Sequence, residues 1–308
     1  MIQDLGRLAV ATGTVLTVGV FDGVHLGHQH LLMHLKEEAQ RQGLVGGVVT
    51  FHPHPRLLLG NSTSIPYLIS LEDRVRLLEE LGIGLVVVLA FTSNLADLPA
   101  QTFMEYLIDA LRMRTLVVGS DFALGRNREG NVPFLQALGQ KKDFSVRVIP
   151  PLVLEGEVVS SSVIRQALAQ GDVDKAARFL GRKVRVSGPV VHGAQRGRHI
   201  SFPTANVGVP PGLVLPADGV YATQAWVDGV AYPSVTNIGK RPTFDYGERS
   251  VEVYLLDFQQ DLYGRELAVD VLRRLRDERR FASVEELQRQ IAQDVMEARA
   301  LFGAQKVS

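Results

Sequence analysis

Apolar and polar positions follow two rhythms along this chain. In roughly the first half, unbroken runs rich in Val, Leu and Ile stand at 15–20, 45–51, 85–91, 115–119 and 146–150. Between them, apolar residues recur at helical spacing over 28–42, 71–81 and 100–111. Runs apolar throughout predict strands buried on both faces, and the helices between them predict a parallel sheet covered on both sides. Ser70-x-x-Asp73 reads as a capping box with Asp in place of Glu. Two short helices are predicted at 161–170 and 173–180, with Gly171 between them and Gly181 as the stop.

After about residue 182 the rhythm changes. Short strand-like runs at 184–191, 220–227, 230–235, 250–256 and 267–275 are separated by Gly, Pro and Asp. Asp228-Gly229 between two such runs is a hairpin signal. Many turns and no helix predict a small antiparallel barrel. A helix closes the chain: Ser283-x-x-Glu286 is a capping box, and Val284, Leu287, Ile291, Val295 and Ala298 share one face, predicted to dock on the barrel. The fold class expected is α/β plus all-β.

Composition narrows the chemistry. At 308 residues the chain has room for two domains of ~100–200 residues. It is 46% hydrophobic and 21% charged, with a formal net charge of +0. That balance supports sizeable cores and gives no field favouring nucleic acid or an anionic membrane. The absence of cysteine excludes disulfides, thiolate zinc sites and a cysteine nucleophile. No signal peptide is read at the start, and no apolar run approaches the ~18–20 residues needed to span a bilayer, so a cytoplasmic protein is expected.

The strongest chemical signal is GVFDGVHLGH at 19–28, directly after the first strand. A helix beginning near Gly27 places His28 in its first turn and His25 in the loop before it. Both rings then reach a phosphate lodged where orphan N–H groups and the helix dipole favour anions. Gly19, Gly23 and Gly27 allow close backbone approach. Taken alone, His25-x-x-His28 is better explained by two loop histidines, and no third metal ligand stands nearby; the glycines and the strand–turn–helix context turn the reading towards function. A second segment, Ser160-Ser161-Ser162-Val163-Ile164-Arg165, offers hydroxyls at a helix start and a cation one turn later, either ordinary caps or a triphosphate clamp.

In the second half, the stretch VVHGAQRGRHISFPTAN carries a basic, glycine-containing loop with Gly193, Arg196, Gly197 and Arg198. Thr204 and Asn206 offer hard oxygen ligands suited to magnesium, although PTAN by itself also reads as a surface turn. In VEVYLL, Val251, Val253 and Leu255 share one strand face, and Glu252 and Tyr254 the other. Glu252 is either a solvent-facing glutamate or, if its face lines a barrel mouth, a general base. LRDERRF at 275–281 is a charged turn before the last helix.

These residues carry a resemblance. GVFDGVHLGH is similar to the HxGH signature of the nucleotidylyltransferase superfamily, and SSSVIR to its later (I/V)SSTxIR signature. FHPHP at 51–55 and VVGSDFALGRNREGN resemble the FAD synthetase half of the bacterial bifunctional riboflavin kinase/FAD synthetases. GRHISFPTAN, ADGVYA, TNIGKRPTF, VEVYLLDFQQDLYG and LRDERRF resemble the riboflavin kinase half, in the expected order. The likeness covers nearly the whole chain. Departures are Ser162 for the usual Thr, Val163 for a common Arg, Ala123 and Leu124 for a polar–Phe pair, and Ser201 for Gly. There is no GxxxxGK[ST] motif, so the kinase implied is not of the P-loop kind.

The resemblance implies a Rossmann-like FMN adenylyltransferase domain at 1–181 and a riboflavin kinase domain at 182–308, the latter a Greek-key-like barrel with a C-terminal helix. Riboflavin would be phosphorylated by ATP to FMN, and FMN joined to AMP from a second ATP to give FAD and pyrophosphate. It implies Glu252 as kinase base, Thr204 and Asn206 holding Mg2+ with ATP, and His25 and His28 stabilising charge in adenylyl transfer. Gly19, Phe21, Gly27, Ser160, Ser161, Arg165, Gly193 and Arg198 would contact ATP, and Asp121 and Arg276 flavin. An adenylyl- or cytidylyltransferase for another phosphate substrate, and a flavin-binding regulator without catalysis, stay open as alternatives, as does assembly into a homo-oligomer.

Overall fold

The computed structural model describes residues 12–59, 66–193, 202–240 and 249–305. The chain divides into two compact units, Met1–Ser161 and Ser162–Ser308.

The first unit is built on five parallel strands: β1 (Thr14–Val18), β2 (Val45–His52), β3 (Leu85–Ala90), β4 (Met113–Gly119) and β5 (Ser145–Ile149). Their order is β3-β2-β1-β4-β5. Every residue of β1 is buried, because Leu16 and Val18 enter one apolar cluster and Val15 the other. Helices α1 (Leu26–Gln42) and α2 (Leu71–Glu80) supply Leu32, Leu35 and Leu78 to the cluster of Val15. On the opposite face, α3 (Ala100–Leu111) supplies Phe103, Met104, Leu107 and Leu111, and α4 (Val132–Lys142) supplies Leu135 and Leu138. The sheet is thus wound on both faces, as the unbroken apolar strands predict.

The sequence pattern did not foresee α4. Its signals are local: Asn131 caps the N-terminus by accepting from the Phe134 N–H at 3.0 Å, Pro133 sits in the first turn, and Asp143 ends the helix in the left-handed region. Its apolar stripe is short, so periodicity alone passes over it. The predicted Ser70 capping box is present, with Ser70 Oγ accepting from the Asp73 N–H at 3.0 Å.

Helices α5 (Ser161–Gln170) and α6 (Val173–Leu180) match their predicted bounds. From Ser162 onward they belong to the second unit. The Leu168 carbonyl accepts from the Ala217 N–H at 2.8 Å. A Cβ on Gly171, whose φ is 77°, would lie 2.9 Å from the Arg274 guanidinium.

The second unit is a closed six-stranded barrel of β6 (Val184–Val191), β7 (Ala205–Val207), β8 (Gly219–Val227), β9 (Val230–Lys240), β10 (Arg249–Leu255) and β11 (Glu266–Arg276), ordered β6-β7-β10-β9-β8-β11. Asp228 and Gly229, with φ of 48° and 80°, turn β8 into β9 and pair Val227 with Val230, as the two-residue hairpin signal predicts. The strand β7, three residues long and beginning inside PTAN, was not predicted. Val251, Val253 and Leu255 face the interior with a fully buried hydroxyl group of Thr223, Ser234 and Thr236, joined by contacts of 2.7–2.8 Å.

The outer face of β8 and β9 is covered by α7 (Val284–Gln305), whose Val295, Ala298 and Leu301 pack on Val220, Ala222, Val235 and Leu256. The Ser283 box is present, with the Glu286 N–H donating to Ser283 Oγ at 3.2 Å. Val284, predicted to dock, is instead 52% exposed, because it opens the helix and the apolar cluster gathers around the later turns.

Candidate active sites

In the first unit the strand order reverses between β1 and β4, the crevice where doubly wound sheets take their ligands. The loop after β1 carries the histidines, and Asp121 follows β4, its Oδ1 3.2 Å from where a Gly119 Cβ would stand. His25 is the N-cap of α1: its Nδ1 accepts from the His28 N–H at 3.2 Å. A ring nitrogen that accepts carries no proton, so the ring proton of His25 is on Nε2. The His25 and His28 rings stack at 3.6 Å and 15°, and the Phe21 ring meets His28 at 4.9 Å. A Cβ on Gly27 would lie 2.8 Å from the Val159 carbonyl and 3.2 Å from the His25 ring, so this approach needs glycine. At Gly19 a Cβ would meet the Phe21 ring at 3.0 Å, and the Gly19 N–H is tied to the Val49 carbonyl at 3.0 Å.

Ser161 Oγ donates to the Asp22 carbonyl at 2.9 Å, joining the start of the serine signature to the histidine loop. Ser160 is half-buried just before it. Arg165 follows one turn along α5, in the second unit. The structure therefore brings His25, His28, Phe21, Gly19, Gly27 and Ser161 together. The arrangement can grip an anion from one side with N–H donors and imidazoles.

In the second unit the register, not the sequence spacing, assembles the candidate site. Asn206 pairs with Glu252 across β7 and β10, and Glu252 pairs with Asn237 across β10 and β9. Directly paired residues project to the same face of a sheet. That face is the outer one, beside the cluster under α7, and the interior is filled by Val251 and Val253. Asn206 is 7% exposed and its amide lies against the Gly193 backbone, where a Cβ would overlap it. Thr204 sits at the entry to β7, half-buried. Phe202 meets Tyr254 edge-on at 5.3 Å. Arg198, predicted to contact phosphate, and Ser201 lie outside the described residues.

Two residues of this site escaped the sequence reading. Asn237 Nδ2 donates to Glu278 Oε1 at 3.2 Å, and the Glu278 carboxylate lies over Gly239. Counting pairs from the Asp228-Gly229 turn would have placed Asn237 opposite Val220, but only the pairing of β9 with β10 sets it beside Glu252. Arg276, predicted to contact flavin, is bound to Asp294 of α7 through Nε at 2.9 Å and Nη2 at 2.8 Å, with Phe281 under its guanidinium at 5.6 Å. This pair ties the last strand to the last helix. The residues present fit magnesium: Thr204 and Asn206 supply neutral hard oxygens and Glu252 a carboxylate in register. Among the described residues no group of three His, Cys, Asp or Glu stands together.

A doubly wound sheet with an anion-gripping histidine loop, followed by a closed barrel with a carboxylate–amide row, defines a two-domain nucleotide-dependent transferase. The FAD synthetase family model matches residues 8–163 and the riboflavin kinase family model residues 180–302. The bifunctional riboflavin kinase/FMN adenylyltransferase of Escherichia coli strain K12 is 41% identical, over 99% of each chain. That of Bacillus subtilis strain 168 is 39% identical over 94% of this chain and 92% of its own. A solved structure from Streptococcus pneumoniae, named a macrolide-efflux protein, superposes with a TM-score of 0.89 at 33% identity, covering 96% of both chains. That name speaks for that protein; among the described residues here, no helix is long and apolar enough to cross a membrane. The chain belongs to the bifunctional riboflavin kinase/FMN adenylyltransferase family.

Proposed function

We propose a division of labour in which the barrel makes FMN and the parallel-sheet unit turns it into FAD, with residues 1–181 and 182–308 as the functional domains. The protein is a riboflavin kinase and FMN adenylyltransferase of flavin biosynthesis, acting on riboflavin, FMN and ATP. A cytoplasmic setting accords with a chain free of cysteine.

In the kinase step, the ribityl 5′-hydroxyl oxygen attacks the γ-phosphorus of ATP and the bond to the ADP oxygen breaks. Glu252 takes the hydroxyl proton. Asn206 and Thr204 hold Mg2+, which neutralises phosphate charge when bound. Gly193 and Arg198 line the phosphates, and Arg276 fixes the edge against which flavin lies. Asn237, in register with Glu252, keeps its amide on Glu278 beside the base.

In the adenylyl step, an FMN phosphate oxygen attacks the α-phosphorus of ATP, and the bond to the pyrophosphate oxygen breaks. The attacking group is already an anion, so no base is required; the obstacle is charge repulsion. Nε2–H of His25 and the His28 ring donate to phosphate oxygens as charge moves onto pyrophosphate. Gly19, Phe21 and Gly27 shape the nucleotide cradle, Ser160, Ser161 and Arg165 hold the leaving group, and Asp121 contacts the flavin.

The observation that carries the reading is the stacked His25–His28 pair at the N-terminus of α1, at the point where the strand order reverses. Incubation of the chain with riboflavin, ATP and magnesium, with flavins separated over time, tests it. FMN is expected first and FAD after it. A chain that binds flavin without turnover would support the regulator instead, and adenylylation of another phosphate acceptor in preference to FMN would support a different transferase.

A further inference from the structure

Among the described residues, Arg74 is the largest fully buried side chain. It lies in the first turn of α2, and its sequence context, an amphipathic helix of ordinary spacing, gives no reason for a buried cation. Nη1 donates to the Phe51 carbonyl at 3.0 Å and reaches Thr50 Oγ1 at 3.4 Å. Thr50 Oγ1 in turn donates to the Val20 carbonyl at 2.9 Å. Arg74 Nε and Nη2 are buried and make no hydrogen bond to protein. The Tyr67 ring stands 5.5 Å from the guanidinium.

Burying a cation with so few partners is costly, and arginine does not escape the cost by losing its proton. Burial pulls the guanidinium below its ordinary value, while the Asp22 carboxylate and the Tyr67 phenol favour its charge. Asp22 is itself 2% exposed, and its two oxygens accept from the Leu68 N–H at 2.9 and 3.2 Å. Asp22 sits inside GVFDGVH, with its carbonyl on Ser161. A buried carboxylate in that loop would by itself repel a triphosphate.

Resting on the adenylyl reading above, we propose that Arg74 is a positioning residue: its buried charge cancels that of Asp22 beneath the histidine loop, so that the loop accepts polyphosphate. The hydrogen bonds to Phe51 and, through Thr50, to Val20 tie the end of β2 to the loop after β1 around that pair. Arg74 touches no reacting atom. It sets the electrostatic floor of the site and the course of the loop after β1.

The test uses the full chain with FMN, ATP and magnesium, reading KM and kcat for FAD formation, thermal unfolding, and FMN formation from riboflavin. Arg74→Met keeps the stem and removes the charge; it is expected to raise the KM for ATP on the order of tenfold, with a smaller change in kcat. Arg74→Lys is expected to recover most of that loss. Asp22→Asn, which keeps an acceptor for Leu68, is expected to lower the KM for ATP, and the Asp22→Asn/Arg74→Met pair to return it towards wild type. FMN formation should not change in any of them. An unchanged KM in Arg74→Met, or a raised KM in Asp22→Asn, overturns the proposal even if Arg74→Met folds poorly. Wild-type chain that makes no FAD would overturn the adenylyl reading and this one with it; wild type that makes FAD beside an unchanged Arg74→Met overturns this one alone.

Discussion

The two candidate sites are assembled in opposite ways. The histidine site is made from ten consecutive residues, 19–28, with Asp121 added from beyond the end of β4 and Ser161 from the start of α5, and its geometry follows from how a strand stops and a helix starts. The barrel site gathers Asn206, Asn237, Glu252 and Glu278, spread over some seventy residues, and only strand pairing makes them neighbours. A site of the first kind is secured by helix capping and glycine close approach. A site of the second kind depends on register, where a slip of one residue would turn Glu252 into the barrel and Val253 out of it.

That contrast can be broken most severely at Glu252. Glu252→Gln keeps size and strand pairing, and should lower FMN formation by ~10²–10⁴-fold, the usual contribution of a general base. FAD formation from supplied FMN should be untouched. A kinase rate near wild type would remove Glu252 from the mechanism and leave it a half-buried glutamate on the outer face. The reciprocal change, His28→Ala, should lower FAD formation by an amount equivalent to ~2.7–4 kcal/mol of lost transition-state stabilisation, while FMN accumulates normally. Equal loss of both activities would show that the sites are not separable.

A smaller effect sharpens the role of Arg276. Arg276→Ala leaves Asp294, 2% exposed, without its bidentate partner, and should cost on the order of 3 kcal/mol in chemical unfolding. Asp294→Asn weakens the same tie but leaves the guanidinium in place. If Arg276 also contacts flavin, the KM for riboflavin rises in Arg276→Ala well beyond its rise in Asp294→Asn. Matching kinetic effects in the two variants would confine Arg276 to holding α7 on the barrel.

The gentlest test concerns the helix beneath the histidine site. Glu38 of α1 is buried among Arg41, Gln42 and Arg147, with Arg147 Nη1 at 2.5 Å. The hydrogen bond from Arg41, above all, lowers its carboxyl from 4.5 to about 2, against the opposing pull of burial. A folded value below the unfolded one means that the group stabilises the fold at pH above about 4.5 and loses that contribution as pH falls towards 2. Unfolding curves of wild type and Glu38→Gln should therefore differ at pH 6 and converge near pH 2. A gap that stays constant over this range would show that the carboxylate charge is not what stabilises the helix.

The same contrast explains what could be read from the chain before any coordinates. The parallel sheet, its order of elements and the histidine loop were legible, because buried strands write continuous apolar runs and a helix start writes its glycines and cap locally. The hairpin at Asp228-Gly229 was legible for the same reason. The helix Val132–Lys142 was not, since its buried stripe is only three residues, Leu135, Leu138 and Gly139. The strand Ala205–Val207 is too short to show a period of two. Asn237 and Glu278 could not be singled out without the pairing of β9 and β10, and Arg74 looked like one more charge on an amphipathic helix. Local chemistry was readable, then, and chemistry carried by register or by burial was not.

The cap that His25 places on α1 limits what evolution can do with this position. Asn, Asp or Ser would satisfy the His28 N–H equally well, yet none would present an aromatic N–H on the far side of the ring. Lys or Arg would bring a positive charge but has no acceptor to begin the helix. Imidazole accepts with one nitrogen and donates with the other from the far edge of the same rigid ring, a reach that the short amide of Asn or hydroxyl of Ser does not give. Drift at residue 25 is thus barred twice over, by the architecture of a helix and by the handling of phosphate, whereas His28 answers only to the second.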